Sequence, residues 1–125
     1  MKLSEHFTFD EFHPQSWQAE RDPQIDDRIV ELCELVRKAW GQPVVVTSGV
    51  RLRSENDLLV AQGKASPTSS HLKGLACDIY CTDSRLRWKA INTLQSYGVV
   101  RIGIAKNFIH FDVDPEKTQF AIWTY

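Results

Sequence analysis

The sequence lacks any long hydrophobic run and any excess of one charge, and each absence excludes a class of function. The longest apolar run, around Pro43 to Val46, is too short to span a bilayer. Lys and Arg total 15, Asp and Glu total 16, and the formal net charge is -1. A balanced surface gives no extended field for a phosphate backbone or an anionic lipid. We therefore expect neither general nucleic-acid binding nor membrane insertion, and a partner must be recognised through local contacts.

Cysteine is also scarce, with only Cys33, Cys77 and Cys81 in the chain. Three cysteines cannot all pair with one another, and no two of them form a C-x-x-C motif. Neither a disulfide framework nor a thiolate zinc site is indicated, because both need paired or clustered cysteines at set spacings. We expect three small, buried, apolar thiols.

The length of 125 residues predicts a single domain, residues 1–125, with no second unit needed for stability. A chain of this size removes about two thirds of its unfolded surface from water when it folds. The segment Met1 to His6 opens with charged residues and not with an apolar signal segment. We therefore expect a monomer that is synthesised in the cytoplasm.

Apolar periodicity and capping residues predict alternating helices and strands. Spacing of three and four between Pro23 and Gly41 predicts an amphipathic helix. Further helices are expected at Phe9–Phe12 after Thr8, at Ser54–Ala61, and from Asp83 or Ser84 to Gly98. Strands are expected at Pro43–Thr47, at Gly74–Cys81, in a hairpin formed by Val99–Ile104 and Phe108–Val113, and at Phe120–Tyr125, where an extended tail is the alternative. The fold class is α+β.

Three polar residues occupy positions where local propensity favours something else. Asp78 lies in the middle of an apolar strand, where a carboxylate is costly to bury unless it is paired or bound to a metal. His110 lies within a predicted strand, and His71 lies between a serine-rich loop and Gly74. Catalytic zinc takes three nitrogen or oxygen ligands from the protein and leaves a fourth position for water. We predict that His71, Asp78 and His110 form such a set, whereas His6 and His13 are structural.

Three motifs in the chain carry a resemblance to a known family. They are Thr47-Ser48-Gly49-Val50-Arg51, then Ser69-x-His71-x-x-Gly74-x-Ala76-x-Asp78, and finally Phe108-Ile109-His110-Phe111-Asp112-Val113. In this order and at these separations they resemble the M15 family of zinc D-alanyl-D-alanine carboxypeptidases and related phage endolysins. The similarity extends from Phe7–Phe12 to Trp123.

The resemblance implies a fold of the hedgehog and D-alanyl-D-alanine peptidase type, in which an antiparallel sheet carries the metal and helices flank it. It implies that zinc is held by His71, Asp78 and His110. It also places Arg51 near the substrate, where a guanidinium can bind a carboxylate or an oxyanion. The alternative for Arg51 is an ordinary pair with a surface acid. We assign Ser69 to hydrogen bonding at the substrate site.

The proton acceptor is the position at which this chain departs from the family pattern. Many relatives have an acidic residue three positions before the last zinc histidine, but that position here is Asn107. We expect Asp112 to replace it, because in a strand Asp112 shares a face with His110. The alternative role of Asp112 is to orient His110 through its second ring nitrogen. Glu55 is a weaker candidate for the base.

With the predicted metal site, the resemblance implies a zinc peptidase that cuts an amide in the peptide part of bacterial peptidoglycan, as a carboxypeptidase or an endopeptidase. Without a signal segment, such an enzyme would reach the wall after phage lysis or from a virion. The first alternative is an inactive zinc module that binds a wall peptide or a protein partner. The second is that the polar residues satisfy one another and hold no ion.

Overall fold

A five-stranded sheet in the order β1-β2-β4-β3-β5 forms the centre of the structure, a computed structural model that describes residues 1–125. The strands are β1 Val46–Ser48, β2 Ala76–Tyr80, β3 Arg101–Ile104, β4 Phe108–Asp112 and β5 Ala121–Thr124. The helices are α1 Phe9–Phe12, α2 Asp27–Trp40, α3 Arg53–Ala61 and α4 Ser84–Ser96, with a short 3₁₀ helix at Ser70–Lys73. The predicted α+β class is confirmed.

The resemblance implies an antiparallel sheet, but the sheet observed here is mixed. The pairs β1–β2, β2–β4 and β4–β3 are antiparallel, but β5 pairs with β3 in parallel, with Gly103 opposite Trp123. The segment 113–120 carries the chain past the start of β3, so that β5 joins the far edge of the sheet and runs in the direction of β3. The predicted hairpin of β3 and β4 is confirmed.

Helices α2 and α4 cover one face of the sheet, and the hydrophobic core lies between these helices and the sheet. Helix α2 begins where Asp26 accepts a hydrogen bond from the amide of Arg28, and it ends at Gly41 in the left-handed conformation. Its apolar stripe meets the inward residues of the strands. The buried residues that these elements contribute to the core are Ile29, Val30, Leu32, Cys33, Val36, Trp40, Cys77, Ile79, Ala90, Leu94, Ile102, Ile109 and Phe111.

Two predicted elements lie elsewhere than expected. Strand β1 covers Val46–Ser48 and not Pro43–Thr47, and Val45, just before the strand, is 58% exposed. Helix α3 is capped at Leu52, with the side chain of Glu55 accepting a hydrogen bond from the Leu52 amide, and Ser54 lies inside the helix. All three cysteines are free and buried, as predicted. No helix in the structure has the length and apolar character needed to cross a membrane.

The 3₁₀ helix places His71 beside the sheet, and a close backbone contact fixes its end. Ser69 accepts a hydrogen bond from the amide of His71 at the start of the helix. Gly74 ends it with a φ of +72°, and a Cβ there would collide with the carbonyl oxygen of Gln24. Glycine is required at this position because no side chain fits and few residues adopt this φ.

Candidate metal centre

The site is built on one row of residues that crosses the sheet, which we call the cross-strand row. Its members are Ser48 of β1, Asp78 of β2, His110 of β4, Gly103 of β3 and Trp123 of β5, each opposite the next. Residues opposite one another on neighbouring strands point to the same face, so the row delivers the side chains of Asp78 and His110 side by side. This face lies away from α2 and α4.

His71 joins the row from the 3₁₀ helix, and backbone contacts fix its orientation. Its Nδ1 lies 2.8 Å from the carbonyl oxygen of Gly49, which can only accept a hydrogen bond. The Nδ1 therefore carries the proton, and Nε2 keeps a free lone pair 3.3 Å from Oδ1 of Asp78. The carbonyl of His71 accepts a hydrogen bond from the amide of Arg51. Both contacts tie His71 to the segment that follows β1.

His110 lies between two carboxylates. Its Nδ1 is 2.8 Å from Oδ1 of Asp78, and its Nε2 is 2.7 Å from Oδ2 of Asp112. Donation of the Nε2 proton to Asp112 leaves Nδ1 as the nitrogen that faces Asp78 and His71. One nitrogen of each imidazole thus points to a common centre while the other is held by a neighbour, as in metal sites whose histidines are oriented by a second partner.

The donor set fits a zinc ion. The ligand atoms of His71, Asp78 and His110 all lie within 4.8 Å of one another, and the three residues are buried. Ligands about 2.0–2.1 Å from a tetrahedral zinc lie about 3.3 Å apart. Oδ1 of Asp78 lies 3.3 Å from Nε2 of His71 and 2.8 Å from Nδ1 of His110, so small shifts would admit the ion. Two imidazoles and one carboxylate are ligands that zinc accepts, and three protein ligands are the number found in catalytic sites.

The electrostatics of the cluster favour a carboxylate beside basic nitrogens. Burial opposes the charge on Asp78, but hydrogen bonds with His110 and His71 hold the pKa of Asp78 well below its ordinary range. Burial also opposes charge on His110, and Asp112 and Asp78 together raise the pKa of His110 above its ordinary value. A divalent ion at this centre would attract the Asp78 carboxylate in place of the protons on the histidine nitrogens.

Arg51 lies at the edge of the site without an acidic partner. Its guanidinium donates hydrogen bonds to Asn56, Ser69 and Ser48, which are all neutral. No carboxylate oxygen lies within 4.0 Å of its nitrogens, so the alternative of a surface ion pair is not observed. Burial lowers the pKa of Arg51, although an arginine stays charged in proteins. The group is a positive charge that neutral contacts hold in place, with Asp78 and Glu55 near enough to attract it but not paired with it.

The candidates for the proton acceptor occupy different surroundings. Asp112 is 2% exposed, and Oδ1 accepts hydrogen bonds from Arg101 Nε at 2.7 Å and from the amide of Asp114. Its other oxygen is bound to His110, so its contacts correspond to the second of its two predicted roles. Asn107 is exposed and does not line the cavity at the metal centre, and Glu55 caps α3.

A cavity of about 390 Å³ opens onto the three predicted ligands. Ser69 lines it, and its hydroxyl holds both the His71 amide and the Arg51 guanidinium. The wall also contains residues that the sequence reasoning missed. They are Arg101, Phe108, Lys117 and Tyr125, and Trp123 lines the cavity with them.

The sequence favours core packing over a place in a peptide cleft for Tyr80, Trp88, Phe111 and Trp123, but of these only Phe111 belongs to the core. Phe111 is fully buried, but Tyr80 is 50% exposed and Trp88 is 67% exposed. Trp123 lies with its ring centroid 5.6 Å from that of His110. The spacing of two between Trp123 in β5 and Tyr125 just after it is the available signal, but it identifies a wall of the site only once β5 is known to pair with β3. His6 and His13 lie outside the centre, bonded to Glu34 and to backbone groups.

Comparison with known proteins agrees with this geometry. No curated protein matches the sequence. Among solved structures, the L-Ala D-Glu endopeptidase ChiX of Serratia marcescens is similar at a TM-score of 0.58 and 17% identity, over 72% of this chain and 80% of that one. At this identity the likeness concerns the fold. The family model of Peptidase M15 matches residues 5–112, which include all of the cross-strand row except Trp123 and all three predicted ligands. The chain belongs to the peptidase M15 family.

Proposed function

We propose that this protein is a zinc-dependent peptidase that hydrolyses an amide bond in the peptide stem or cross-link of bacterial peptidoglycan. The observation that carries the proposal is the convergence of His71, Asp78 and His110 at a cavity that also contains the unpaired Arg51. Family membership supports peptidase chemistry. The name of the structural neighbour, which specifies a bond between L-Ala and D-Glu, supports a substrate that contains D-residues.

Each predicted ligand offers the ion a defined donor atom. His71 presents Nε2 because Gly49 fixes its Nδ1 proton, and His110 presents Nδ1 because Asp112 holds its Nε2. Asp78 supplies the single negative charge between them. Zinc bound there supplies a Lewis acid that polarises a carbonyl and lowers the pKa of water.

We propose that Arg51 binds an oxygen atom of the substrate that carries a negative charge or acquires one during the reaction. Its guanidinium is preorganised by Asn56, Ser69 and Ser48, so little rearrangement is needed when a carboxylate or a developing oxyanion arrives. Ser69 contributes by fixing Arg51 and the start of the 3₁₀ helix at once. Charge on the substrate would replace the partner that Arg51 lacks in the protein.

The role of Asp112 decides between activity and binding alone. We favour the orienting role, because a proton acceptor must first release its hydrogen bonds to Arg101 and His110. Asp78 and Asp112 are the only acidic residues that line the cavity. This supports a second candidate function, an inactive zinc module that binds a wall peptide or a protein partner.

The remaining features of the proposal concern context. We propose that residues 1–125 act as one catalytic domain and as a monomer. The substrate is extracellular for a bacterial cell, so access after phage lysis or from a virion would bring the enzyme to it. The same ligands and the same arginine would serve either a carboxypeptidase or an endopeptidase.

Digestion of purified peptidoglycan tests the proposal, with muropeptides identified by mass spectrometry and zinc content measured on the same samples. We expect new amino groups with the wild type and none with His110→Ala, which should also lose zinc. His6→Ala is the matched control, because His6 lies outside the centre and binds Glu34. Zinc without hydrolysis supports the inactive module. Absence of both zinc and hydrolysis in the wild type overturns the proposal.

A further inference from the structure

Arg101 lies outside the predicted ligand set but is connected to it through one residue. Its Nε donates to Oδ1 of Asp112 at 2.7 Å, and its Nη1 donates to the carbonyl of Thr118. The guanidinium carbon lies 4.8 Å from the ring centre of Trp123. Three elements therefore hold one planar group: strand β4, the segment 113–120 and strand β5. The Arg101 side chain is only 12% exposed.

The contacts of Arg101 determine what Asp112 can do. Arg101 occupies Oδ1 and balances the charge of the carboxylate, which has almost no exposure of its own. Oδ2 then remains as the acceptor for the Nε2 proton of His110. Without Arg101, Oδ1 would keep only the hydrogen bond from the amide of Asp114, at 3.2 Å, and the Asp112 carboxylate would be less firmly held about its χ2 bond. Rotation of the carboxylate would break the hydrogen bond from Nε2 of His110.

We propose that Arg101 is a positioning residue that acts through Asp112 to keep His110 in the tautomer with Nδ1 free for the metal. The proposal rests on the zinc site of the proposed function but does not require that the protein be catalytically active. A continuous series of hydrogen bonds runs from the surface loop to the centre, through Thr118, Arg101, Asp112 and His110. The fork of arginine suits this task, since it binds a carboxylate and a carbonyl at once while stacking on an aromatic ring.

A merely structural role for Arg101 is the main competing explanation. Arg28 provides a matched control, because it also donates a hydrogen bond to a backbone carbonyl distant in sequence, that of Tyr97. It lies on α2, away from the metal centre. If Arg101 served only to join distant segments, its replacement would affect stability as that of Arg28 does and would leave zinc binding unchanged.

The experiment measures zinc affinity by chelator competition, and the protonation of the His110 nitrogens by ¹⁵N NMR of the zinc-loaded protein. We expect Asp112→Asn and Arg101→Gln to weaken zinc binding by about 10-fold or more, as for other partners of ligating histidines. Arg101→Lys should lie between Arg101→Gln and wild type, because a single ammonium keeps the charge but loses the fork. Arg28→Gln should leave zinc affinity unchanged. Thermal unfolding of each variant reports whether it is folded.

The proposal is overturned if folded Arg101→Gln or Arg101→Lys keeps wild-type zinc affinity and the wild-type His110 tautomer. It is also overturned if the variants change only KM for a peptide substrate, since Arg101 would then contact substrate directly. Failure of the wild type to bind zinc removes both this proposal and the proposed function. Zinc binding that depends on Arg101 in a protein without hydrolysis supports the positioning role and refutes only the catalytic function.

Discussion

The two faces of strands β2 and β4 show how one stretch of backbone serves opposite purposes. Toward α2 and α4 the strands present Cys77, Ile79, Ile109 and Phe111, all of which are fully buried. On the other face the same strands present Asp78, His110 and Asp112, which are also buried. Successive residues alternate between faces, so a single register places both sets.

The difference lies in how burial is made favourable. On the core face, burial itself stabilises the fold through the removal of apolar surface from water. On the site face, burial opposes the charged groups, and hydrogen bonds and ion pairs must offset it. Asp78, Asp112 and Asp114 each have partners that do so. The core face should therefore carry most of the stability, and the site face should carry most of the dependence on pH and metal.

The largest effect on stability is expected from Phe111→Ala on the core face. Phe111 lies between His110 and Asp112 along β4 and is 0% exposed. Truncation should lower the free energy of unfolding by about 3–5 kcal/mol, because it leaves a cavity among residues that cannot close it. Urea unfolding followed by tryptophan fluorescence measures the loss.

Tyr80→Ala is the control for this prediction. Tyr80 ends β2 and is 50% exposed, so its removal should change stability by no more than about 0.5 kcal/mol. Equal losses in the free energy of unfolding for Phe111→Ala and Tyr80→Ala would contradict the expectation that the core face carries most of the stability.

A smaller effect, dependent on pH, is expected from Asp114→Asn beyond the end of β4. Burial favours the neutral acid, but hydrogen bonds from Ser70, the Glu116 amide and Lys73 lower the pKa of Asp114 below its ordinary value. The stability that the carboxylate contributes is thus present above about pH 3.9 and is lost as the pH falls through the lower, folded pKa. We expect the variant to be less stable than wild type by about 1.5–3 kcal/mol at pH 7.

Urea unfolding of both proteins between pH 7 and pH 2.5 checks this prediction. The difference in stability should shrink as the solution becomes acidic, because the wild type then also carries a neutral side chain. Ser16→Ala, in the exposed loop before α2, is the control and should show no such trend. A difference that stays constant over this pH range would mean that the charge of Asp114 does not contribute.

Two features of the sequence predicted much of this comparison: the period of its apolar residues, and polar residues at positions where local propensity favours other types. The apolar spacing of α2 and the alternation in β2 and β4 predicted which residues face the core, because local geometry fixes both periods. The placement of Asp78 and His110 against local propensity predicted that they share a site. The pairing of β5 with β3 and the contact of Arg101 with Asp112 could not be predicted, since both depend on segments that meet only in the folded chain. The two roles of Asp112 stayed open for the same reason.

Among the three substitutions expected to destabilise the protein, Gly103→Ala should have the smallest effect, and it tests the site face where that face has no side chain. An added Cβ would lie 2.6 Å from Nε1 of Trp123 and 2.9 Å from Cε2 of Tyr125, so both rings must move. Because both residues are partly exposed, the cost should be about 1 kcal/mol, at the low end for added bulk. The displaced Trp123 ring would also leave Arg101 without its stacking partner, and zinc affinity should fall modestly as a result. In a Trp123→Ala background the same substitution should cost less, which a double-mutant cycle measures. An unchanged cost in that background would mean that the rings do not occupy the space above Gly103.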